Sequence, residues 1–364
     1  MDNGLDEKIL VTKPVLPPFE EFAEYLKGIW ERSWLTNNGP LVQDLESELR
    51  SFLGVKHCIL VSNGTIALQL AIKALDLKKE IVTTPFSFVA TTSSIVWEGC
   101  KPVFVDIDPR TLNIDPDLIE KAITPNTEAI LATHVFGNPC DIERIEQIAR
   151  KFNLKVIYDG AHGFGVNYRN QSLLSYGDLA TVSFHATKLF STVEGGAVIT
   201  NDDHIAHKVN YMRNFGYIDG EIWGIGINGK ISELHAAFGL CLLPRVNRII
   251  AERQRICELY DEFLKDVDIH KPAIKEETQY NYAYYPVLFN SEECLLKVLY
   301  ALHKANVFPR RYFYPSMNQL PYLYHKTPMI NSESVARRIL CLPLYNDLSS
   351  HQIENICRII RKTI

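Results

Sequence analysis

The segment Ser183–Gly196 is a candidate reactive site, because it contains a lysine just after a predicted strand and two glycines a few residues later. The run Ser183–Lys188 reads Ser-Phe-His-Ala-Thr-Lys, and its apolar start predicts the end of a strand. Glu194–Gly196 follows, and its two glycines predict a tight turn before the next strand. Lys188 would then stand at the ligand-binding edge of a sheet, where a neutral amine can attack a carbonyl carbon or accept a proton. A single lysine taken alone is more commonly a solvated surface residue.

An acidic residue ends a second apolar run, Val156–Asp159. Burying the Asp159 carboxylate without a partner is costly, and a cationic ring nitrogen would be a suitable partner. Such an acid keeps a pyridine ring protonated, so that a pyridine cofactor can act as an electron sink. Asp159 could equally cap the helix that follows it. The residues alone favour neither interpretation.

Two further features could hold a planar, phosphorylated ligand. Asn63–Thr65 lies between a predicted strand and a predicted helix, and Gly64 would let backbone N–H groups approach a phosphate in the favourable field of the helix. Phe88, within Pro85–Thr91, follows a strand end and could lie flat against a ring. Asn-Gly is also a common turn, and an isolated phenylalanine is more commonly a core residue.

The elements that must position these residues alternate along the chain. Between about residues 56 and 200, short apolar runs alternate with helix-like segments. The predicted strands are His57–Val61, Glu80–Thr84, Pro102–Ile107, Ala129–His134, Lys155–Asp159, Thr181–Phe184 and Gly196–Thr200. This pattern predicts an α/β domain with a mainly parallel sheet buried on both faces, whose ligands gather at the carboxyl ends of the strands.

The pattern changes after about residue 230. A long helix-compatible stretch, Ile231–Val267, is interrupted by Pro244, which should kink or split it. Strand-like and helical segments then mix. We therefore predict a large domain over residues 1–245, including an N-terminal arm, and a smaller α+β domain over residues 246–364.

Taken together, these features resemble the DegT/DnrJ/EryC1/StrS family of sugar aminotransferases. They are the turn at Asn63–Thr65, the ring of Phe88, the strand-end acid Asp159 and Lys188. The matching stretches are Ser62–Leu68, Pro85–Thr91, Tyr158–His162, Ser183–Lys188 with Glu194–Gly196, and Gly226–Asn228. The resemblance covers nearly the whole chain. It implies the fold-type I architecture of enzymes that use pyridoxal 5′-phosphate (PLP), with a large seven-stranded, mainly parallel sheet domain and a smaller C-terminal α+β domain.

The resemblance implies three catalytic residues. Lys188 is expected to form a Schiff base with PLP and then to move protons. Asp159 is expected to pair with the pyridine nitrogen, and His162 to lie near the ring hydroxyl. PLP, with pyridoxamine 5′-phosphate as its amino-carrying form, is the expected cofactor, and no metal is expected.

The resemblance also implies the residues that bind the cofactor. Phe88 is expected to stack on the ring, while Gly64, Thr65 and Ser183 hold the phosphate. Asn228 is similar to the residue that reaches this phosphate from a second subunit, which implies a homodimer with shared active sites. In this chain Gly229-Lys230 follows, where an arginine often stands in the family.

By the same analogy, five residues are expected to line a groove for a sugar nucleotide: Thr36, Asn37, His185, Arg311 and Tyr314. Arg311 would suit a diphosphate, although it could equally be a surface arginine. The segments Val11–Pro17 and Trp34–Pro40 are most similar to the family members that produce dTDP-4-amino-4,6-dideoxyglucose. Three other departures, Asn63, Gly160 and Val193, are expected to be tolerated.

The implied reaction transfers an amino group from L-glutamate to C4 of a dTDP-linked 4-keto-6-deoxyhexose, giving a 4-amino-4,6-dideoxy sugar for glycan or O-antigen biosynthesis. Amination at C3 of a 3-keto sugar is the main alternative. A PLP-dependent sugar 3-dehydratase would carry histidine in place of Lys188. A regulator that binds PLP or sugar without catalysis would have a degraded lysine site or a DNA-binding segment. Gly163–Gly165 lacks the third glycine of a dinucleotide-binding fingerprint.

Composition restricts the partners. The formal net charge is −5, which gives no general attraction to nucleic acid or to anionic membranes. Met1–Glu7 is polar and acidic, unlike a signal peptide, and no apolar run approaches the ~20 residues needed to span a bilayer. The eight cysteines form no C-x-x-C pair and are predicted to be reduced and buried. These features predict a cytoplasmic enzyme.

Overall fold

The computed structural model describes residues 8–323 and 326–364 of the 364-residue chain. The acidic segment Met1–Glu7, on which the absence of a signal peptide was predicted, lies outside the described residues.

The described residues form sixteen strands. They are β1 Ile9–Leu10, β2 His57–Val61, β3 Glu80–Thr83, β4 Lys101–Phe104, β5 Thr127–Thr133, β6 Lys155–Asp159, β7 Asn167–Tyr168, β8 Gln171–Ser172, β9 Leu179–Ser183, β10 Gly196–Thr200, β11 Tyr217–Ile218, β12 Glu221–Ile222, β13 Thr278–Gln279, β14 Tyr285–Leu288, β15 Val307–Phe308 and β16 Ile339–Leu342. Seven of them form one sheet in the order β2-β10-β9-β6-β5-β3-β4. Strand β10 is antiparallel to both of its neighbours, and the pairs from β9 to β4 are parallel.

The same residues form twelve α-helices. They are α1 Phe19–Arg32, α2 Pro40–Leu53, α3 Gly64–Ala74, α4 Val89–Trp97, α5 Pro116–Ala122, α6 Ile142–Phe152, α7 Asp203–Met212, α8 Glu233–Leu242, α9 Val246–Leu264, α10 Glu292–Lys304, α11 Ile330–Arg338 and α12 Ser350–Thr363. No helix in residues 8–323 and 326–364 is both long and apolar enough to cross a lipid bilayer.

Helices cover both faces of the large sheet. Along β6, Val156 and Tyr158 point into the apolar cluster that includes α2, α6 and α8, whereas Ile157 points into the cluster that includes α3 and α7. This alternation buries β6 on both sides, which explains why an inner strand of the sheet is apolar almost without interruption. The predicted α/β class with a large, mainly parallel seven-stranded sheet is confirmed.

Three neighbouring strands end at one edge of this sheet. Asp159, the last residue of β6, is in register with Thr133 at the end of β5 and with Thr181 in β9. Helix α3 begins at the same edge, where the Asn63 side chain accepts a hydrogen bond from the amide of Ile66. The edge therefore combines a helix N-terminus with the carboxyl ends of the strands, as in other ligand sites of parallel sheets.

A separate apolar cluster lies in the C-terminal part of the chain, between α9, α10, α12 and the two-stranded sheet β14-β16. Pro244 separates α8 from α9 as predicted. The N-terminal strand β1 pairs with β15, so the arm contacts this C-terminal part. The division of the chain at residues 245 and 246 stays a prediction.

Candidate active site

A cavity of about 560 Å³ opens at the carboxyl edge of the large sheet. Residues from β6, β9, α3 and the C-terminal part line it. They include Gly64, Thr65, Phe88, Asp159, His162, Thr181, Ser183, His185, Lys188, Tyr284, Arg310 and Tyr312. The cavity thus brings together all three predicted catalytic residues and four of the five other residues predicted to bind the cofactor.

Lys188 lies in the loop between β9 and β10 and is partly exposed to the cavity. Its Nζ lies 3.4 Å from the hydroxyl oxygen of Tyr284. Burial lowers the pKa of the Lys188 amine below its usual value, while the Asp159 carboxylate and Tyr312 act in the opposite direction. A lowered pKa increases the neutral fraction of the amine, which is the form that attacks a carbonyl.

Asp159 is 5% exposed and carries two hydrogen bonds. Its Oδ2 accepts from the Thr91 hydroxyl at 2.7 Å, and its Oδ1 accepts from the amide of Ala161 at 3.1 Å. The pKa of the Asp159 carboxyl is raised, with burial as the main cause, while these two donors and the Lys188 charge act in the opposite direction. A carboxylate has about four acceptor positions, so room remains for another N–H donor from the cavity.

A hydrogen bond from the backbone determines which nitrogen of the His162 ring carries the proton. Its Nδ1 accepts a hydrogen bond from the amide of Phe136 at 3.2 Å, so the proton of the neutral ring is on Nε2. Burial lowers the pKa of His162 well below 6.5, and the Lys188 charge lowers it further. The ring lies nearly parallel to those of Phe136 and Phe313, which hold its orientation. His162 therefore presents a neutral N–H donor.

The start of α3 forms a narrow corner of the cavity beside Ser183. A Cβ atom on Gly64 would lie 2.8 Å from the Cβ of Ser183, so only glycine fits without displacement. Gly196 is equally tight against the backbone of Asn63 and Gly64. Amide groups at a helix start, close to a serine hydroxyl, suit a phosphate dianion.

Phe88 and His185 line other walls of the cavity. The Phe88 side chain precedes α4 and is 56% exposed, which leaves its ring free to cover a planar ligand. The ring of His185 is held by the Thr187 hydroxyl at 2.8 Å from Nδ1, and its Nε2 lies 3.5 Å from Glu194.

Other predicted residues lie elsewhere in the single subunit. Arg311 donates to Glu292 at 2.7 Å and to backbone carbonyls, and its guanidinium lies 3.6 Å from the centre of the Tyr314 ring. These two residues pair with each other outside the cavity lining, whereas the adjacent Arg310 lines the cavity.

The remaining three predicted residues are exposed and lie outside this cavity. Thr36 accepts a hydrogen bond through its carbonyl from the indole of Trp34. Asn37 lines a second cavity of about 400 Å³, together with Arg213 and Lys230. Asn228 forms an isolated bridge with Asn214 near that second cavity. A single subunit therefore does not bring Asn228 to Lys188.

Several cavity residues received no role from the sequence: Thr181, Tyr284, Arg310 and Tyr312. Tyr284 is 7% exposed and contacts both His162, with ring centroids 4.7 Å apart, and Lys188. The only sequence signal was the density of tyrosines in the segment from 280 to 285, which does not say which ring faces the cavity.

In the described ranges 8–323 and 326–364, no group of three or more potential metal ligands is present.

Comparisons with known proteins agree with this geometry. A dTDP-4-amino-4,6-dideoxy-D-glucose transaminase of Shigella dysenteriae is 47% identical over 98% of this chain and 100% of its own length. A transaminase of the same name from Escherichia coli is 41% identical over 98% of each chain. A solved structure of DesI in the presence of its TDP-sugar product is 32% identical, with a TM-score of 0.93 over 99% of this chain and 93% of that chain.

A family profile matches residues 19–361, nearly the whole chain. It is the profile described as the DegT/DnrJ/EryC1/StrS aminotransferase family, the resemblance that the motifs predicted. With this match and the identity of the two transaminases, the chain belongs to the DegT/DnrJ/EryC1/StrS aminotransferase family.

Proposed function

We propose that this protein is a PLP-dependent aminotransferase that moves an amino group from L-glutamate to C4 of a dTDP-linked 4-keto-6-deoxyhexose. The observation that carries the proposal is the convergence of Lys188, Asp159 and the Gly64 corner in one cavity of about 560 Å³. The identity to two transaminases named for a dTDP-linked 4-amino sugar supports the nucleotide and the position of the new amino group.

The residues present fit PLP. The corner at Gly64, Thr65 and Ser183 excludes a Cβ atom and offers helix amides, which suits the phosphate. The buried Asp159 carboxylate retains acceptor capacity for the ring N–H. Lys188 would hold the cofactor covalently through its amine, and Phe88 has an exposed ring to cover one face.

Each of these residues has a task that its surroundings permit. When bound, PLP withdraws electrons from the carbon that carries the amino group and carries that group from donor to acceptor. Asp159, which accepts a hydrogen bond from the Thr91 hydroxyl, would pair with the ring N–H of the bound cofactor. The neutral amine of Lys188 accepts a proton from one carbon and returns it at another. His162 would offer its Nε2–H to the ring hydroxyl of the cofactor without changing its own charge.

The assembly that we propose is a homodimer with shared active sites. Asn228 lies outside the cavity of its own subunit, on an exposed segment that also presents Trp223, Ile225 and Ile227. Ile225 is 91% exposed, which is unfavourable for an apolar side chain unless another surface covers it. A second copy of the chain would bury this segment and bring Asn228 to the partner's phosphate corner, with Lys230 close behind it.

We propose the cytoplasm as the compartment and a glycan such as O-antigen as the destination of the amino sugar. All eight cysteines are free and seven are buried, as expected for a protein kept in a reducing compartment.

The test is an assay of the purified enzyme with PLP and L-glutamate against a panel of dTDP-, UDP- and GDP-linked 4-keto-6-deoxy sugars, with 3-keto isomers alongside. We expect amination of the dTDP-linked 4-keto sugar, with the new nitrogen on C4 by product NMR. Nitrogen on C3 would establish the alternative regiochemistry. The absence of any aminated product would contradict the proposed activity and favour the non-catalytic alternative.

A further inference from the structure

A chain of three buried hydroxyl groups leads to the Asp159 carboxylate. Thr133 donates to Ser87 at 3.1 Å, the oxygens of Ser87 and Thr91 are 2.7 Å apart, and Thr91 donates to Asp159 at 2.7 Å. The three hydroxyl residues are at most 3% exposed. They come from β5, from the loop after β3 and from α4, so the chain is a product of the tertiary fold.

The direction of each hydrogen bond follows from the last one. A hydroxyl has one hydrogen, and Thr91 uses it on the carboxylate. Thr91 must therefore accept from Ser87, and Ser87 must accept from Thr133. All three O–H dipoles point toward Asp159, and hydrogen bonds arranged in this way polarise one another.

The neighbouring residue provides a contrast within the same helix. Thr92 is also fully buried, yet its hydroxyl has no hydrogen-bond partner among the described residues. Thr91 and Thr92 thus share residue type, burial and helix, and differ in whether the hydroxyl reaches the acid. Burial of hydroxyl groups in α4 does not in itself require a link to Asp159.

We propose that the Thr133–Ser87–Thr91 hydroxyl chain is a positioning device that keeps Asp159 ionised, and thereby keeps the cofactor's ring nitrogen protonated. This inference rests on the proposed function. In a dry site a carboxylate is stable only with donors, and the chain supplies one of the two that the protein gives to Asp159. Lys188 is the charged group that acts on the acid, the buried Cys140 thiol also interacts with it, and His162, which lines the same cavity, is neutral.

The test compares Thr91→Val with Thr92→Val, since each replaces a buried hydroxyl by a methyl group of similar size. Thr91→Ser restores the hydroxyl, and Ser87→Ala removes the second link without touching the acid. Each variant is loaded with PLP labelled with nitrogen-15 in the ring. The nitrogen chemical shift reports protonation directly, and the dissociation constant of PLP is measured in parallel.

We expect Thr91→Val to move the ring nitrogen toward the unprotonated shift and to weaken PLP binding about tenfold, because a hydrogen bond to a charged group is lost. Ser87→Ala should move the nitrogen chemical shift in the same direction by a smaller amount. Thr92→Val and Thr91→Ser should match the wild type.

Equal behaviour of Thr91→Val and Thr92→Val, whether both resemble the wild type or both differ from it, would overturn the inference while the proposed function stands. A wild-type protein that binds no PLP would overturn the proposed function and the inference together.

Discussion

The charge state of each catalytic side chain follows from its immediate neighbours. Asp159 receives donors that favour its ionised form, whereas burial and Lys188 keep His162 neutral. Lys188 is buried enough for the pKa of its amine to fall. The site therefore holds an acceptor, a neutral donor and an amine that can lose its charge, as amino-group transfer requires.

His162 provides a test of this assignment. Because its proton is on Nε2 and its pKa lies well below 6.5, we expect His162→Gln, which keeps a neutral N–H donor, to retain PLP affinity within a few fold. His162→Leu should weaken affinity about tenfold because the donor is lost.

The pH dependence of activity in the wild type and in His162→Gln tests whether the His162 ring stays neutral. Since His162 is neutral above its lowered pKa, the acid limb of the pH profile between about pH 5 and 8 should not change in His162→Gln. Loss of a limb in that range would mean that His162 titrates during the reaction.

The sequence allowed part of this residue-level picture to be predicted. Asp159 and Lys188 were singled out from local motifs, His162 and Ser183 followed from the family resemblance, and the structure brings all four into one cavity. Tyr284 and Arg310 lie about a hundred residues further along the chain, so nothing local indicates that they face Lys188. Arg310 and Arg311 are adjacent and have the same side chain, but Arg311 is held outside the cavity by Glu292, by backbone carbonyls and by Tyr314.

At the scale of elements, the start of α3 fixes the phosphate corner. In Gly64→Ala the new Cβ would lie 2.8 Å from Ser183 Cβ, so α3 or β9 must shift. We expect at least about tenfold weaker PLP binding and a loss of about 1–3 kcal/mol in the free energy of unfolding.

Gly163→Ala is the matched control for this change. Its Cβ would meet nothing closer than 3.4 Å, an ordinary contact at the same sheet edge. Fluorescence titration measures the affinity for PLP, and urea unfolding measures the free energy of unfolding. Equal affinity of both variants would show that the corner at Gly64 does not bind the phosphate.

A second element-level contact joins α8 to α2. Glu233 is fully buried and accepts hydrogen bonds from the amides of Leu41 and Val42 at 3.1 and 3.0 Å, which completes the N-terminus of α2. We expect Glu233→Gln to lower the free energy of unfolding by about 1–3 kcal/mol, because one charged acceptor is lost. Urea unfolding checks this, with the exposed Glu262→Gln as the control; equal stability of the two variants would contradict it.

Strand positions and a mainly parallel sheet could be predicted from the sequence, whereas the antiparallel direction of β10 could not. His57–Val61, Lys155–Asp159 and Gly196–Thr200 have the predicted bounds, because apolar runs there coincide with the hydrogen-bonded ladder. Pro102–Ile107 was predicted too far along the chain: the ladder of β4 ends at Phe104, and Ile107 forms a separate bridge with Ile114. The connection from β9 to β10 contains no helix, which allows β10 to run antiparallel.

At the scale of the whole molecule, the proposed dimer predicts complementation between defective subunits. Lys188→Ala should be inactive, and Asn228→Asp should be strongly impaired because its charge repels the partner's phosphate. In a mixed dimer, one site combines an intact Lys188 with an intact Asn228. We expect random mixing to restore about a quarter of wild-type activity.

Refolding the two variants together and assaying turnover measures this recovery, with each variant refolded alone as the control. Activity that stays at the sum of the separate variants would contradict a shared site. The shared site stays a prediction, because in the single chain Asn228 lies outside the cavity that contains Lys188.

The central claim is that Lys188 holds the cofactor. We expect borohydride reduction of the PLP-loaded protein, followed by proteolysis and mass spectrometry, to find the pyridoxyl group on the peptide that contains Lys188, and to find none there in Lys188→Arg. An exposed lysine, Lys79→Arg, serves as the control and should leave the labelling unchanged. A pyridoxyl group on another lysine, or no labelling of the wild-type protein, would contradict the account.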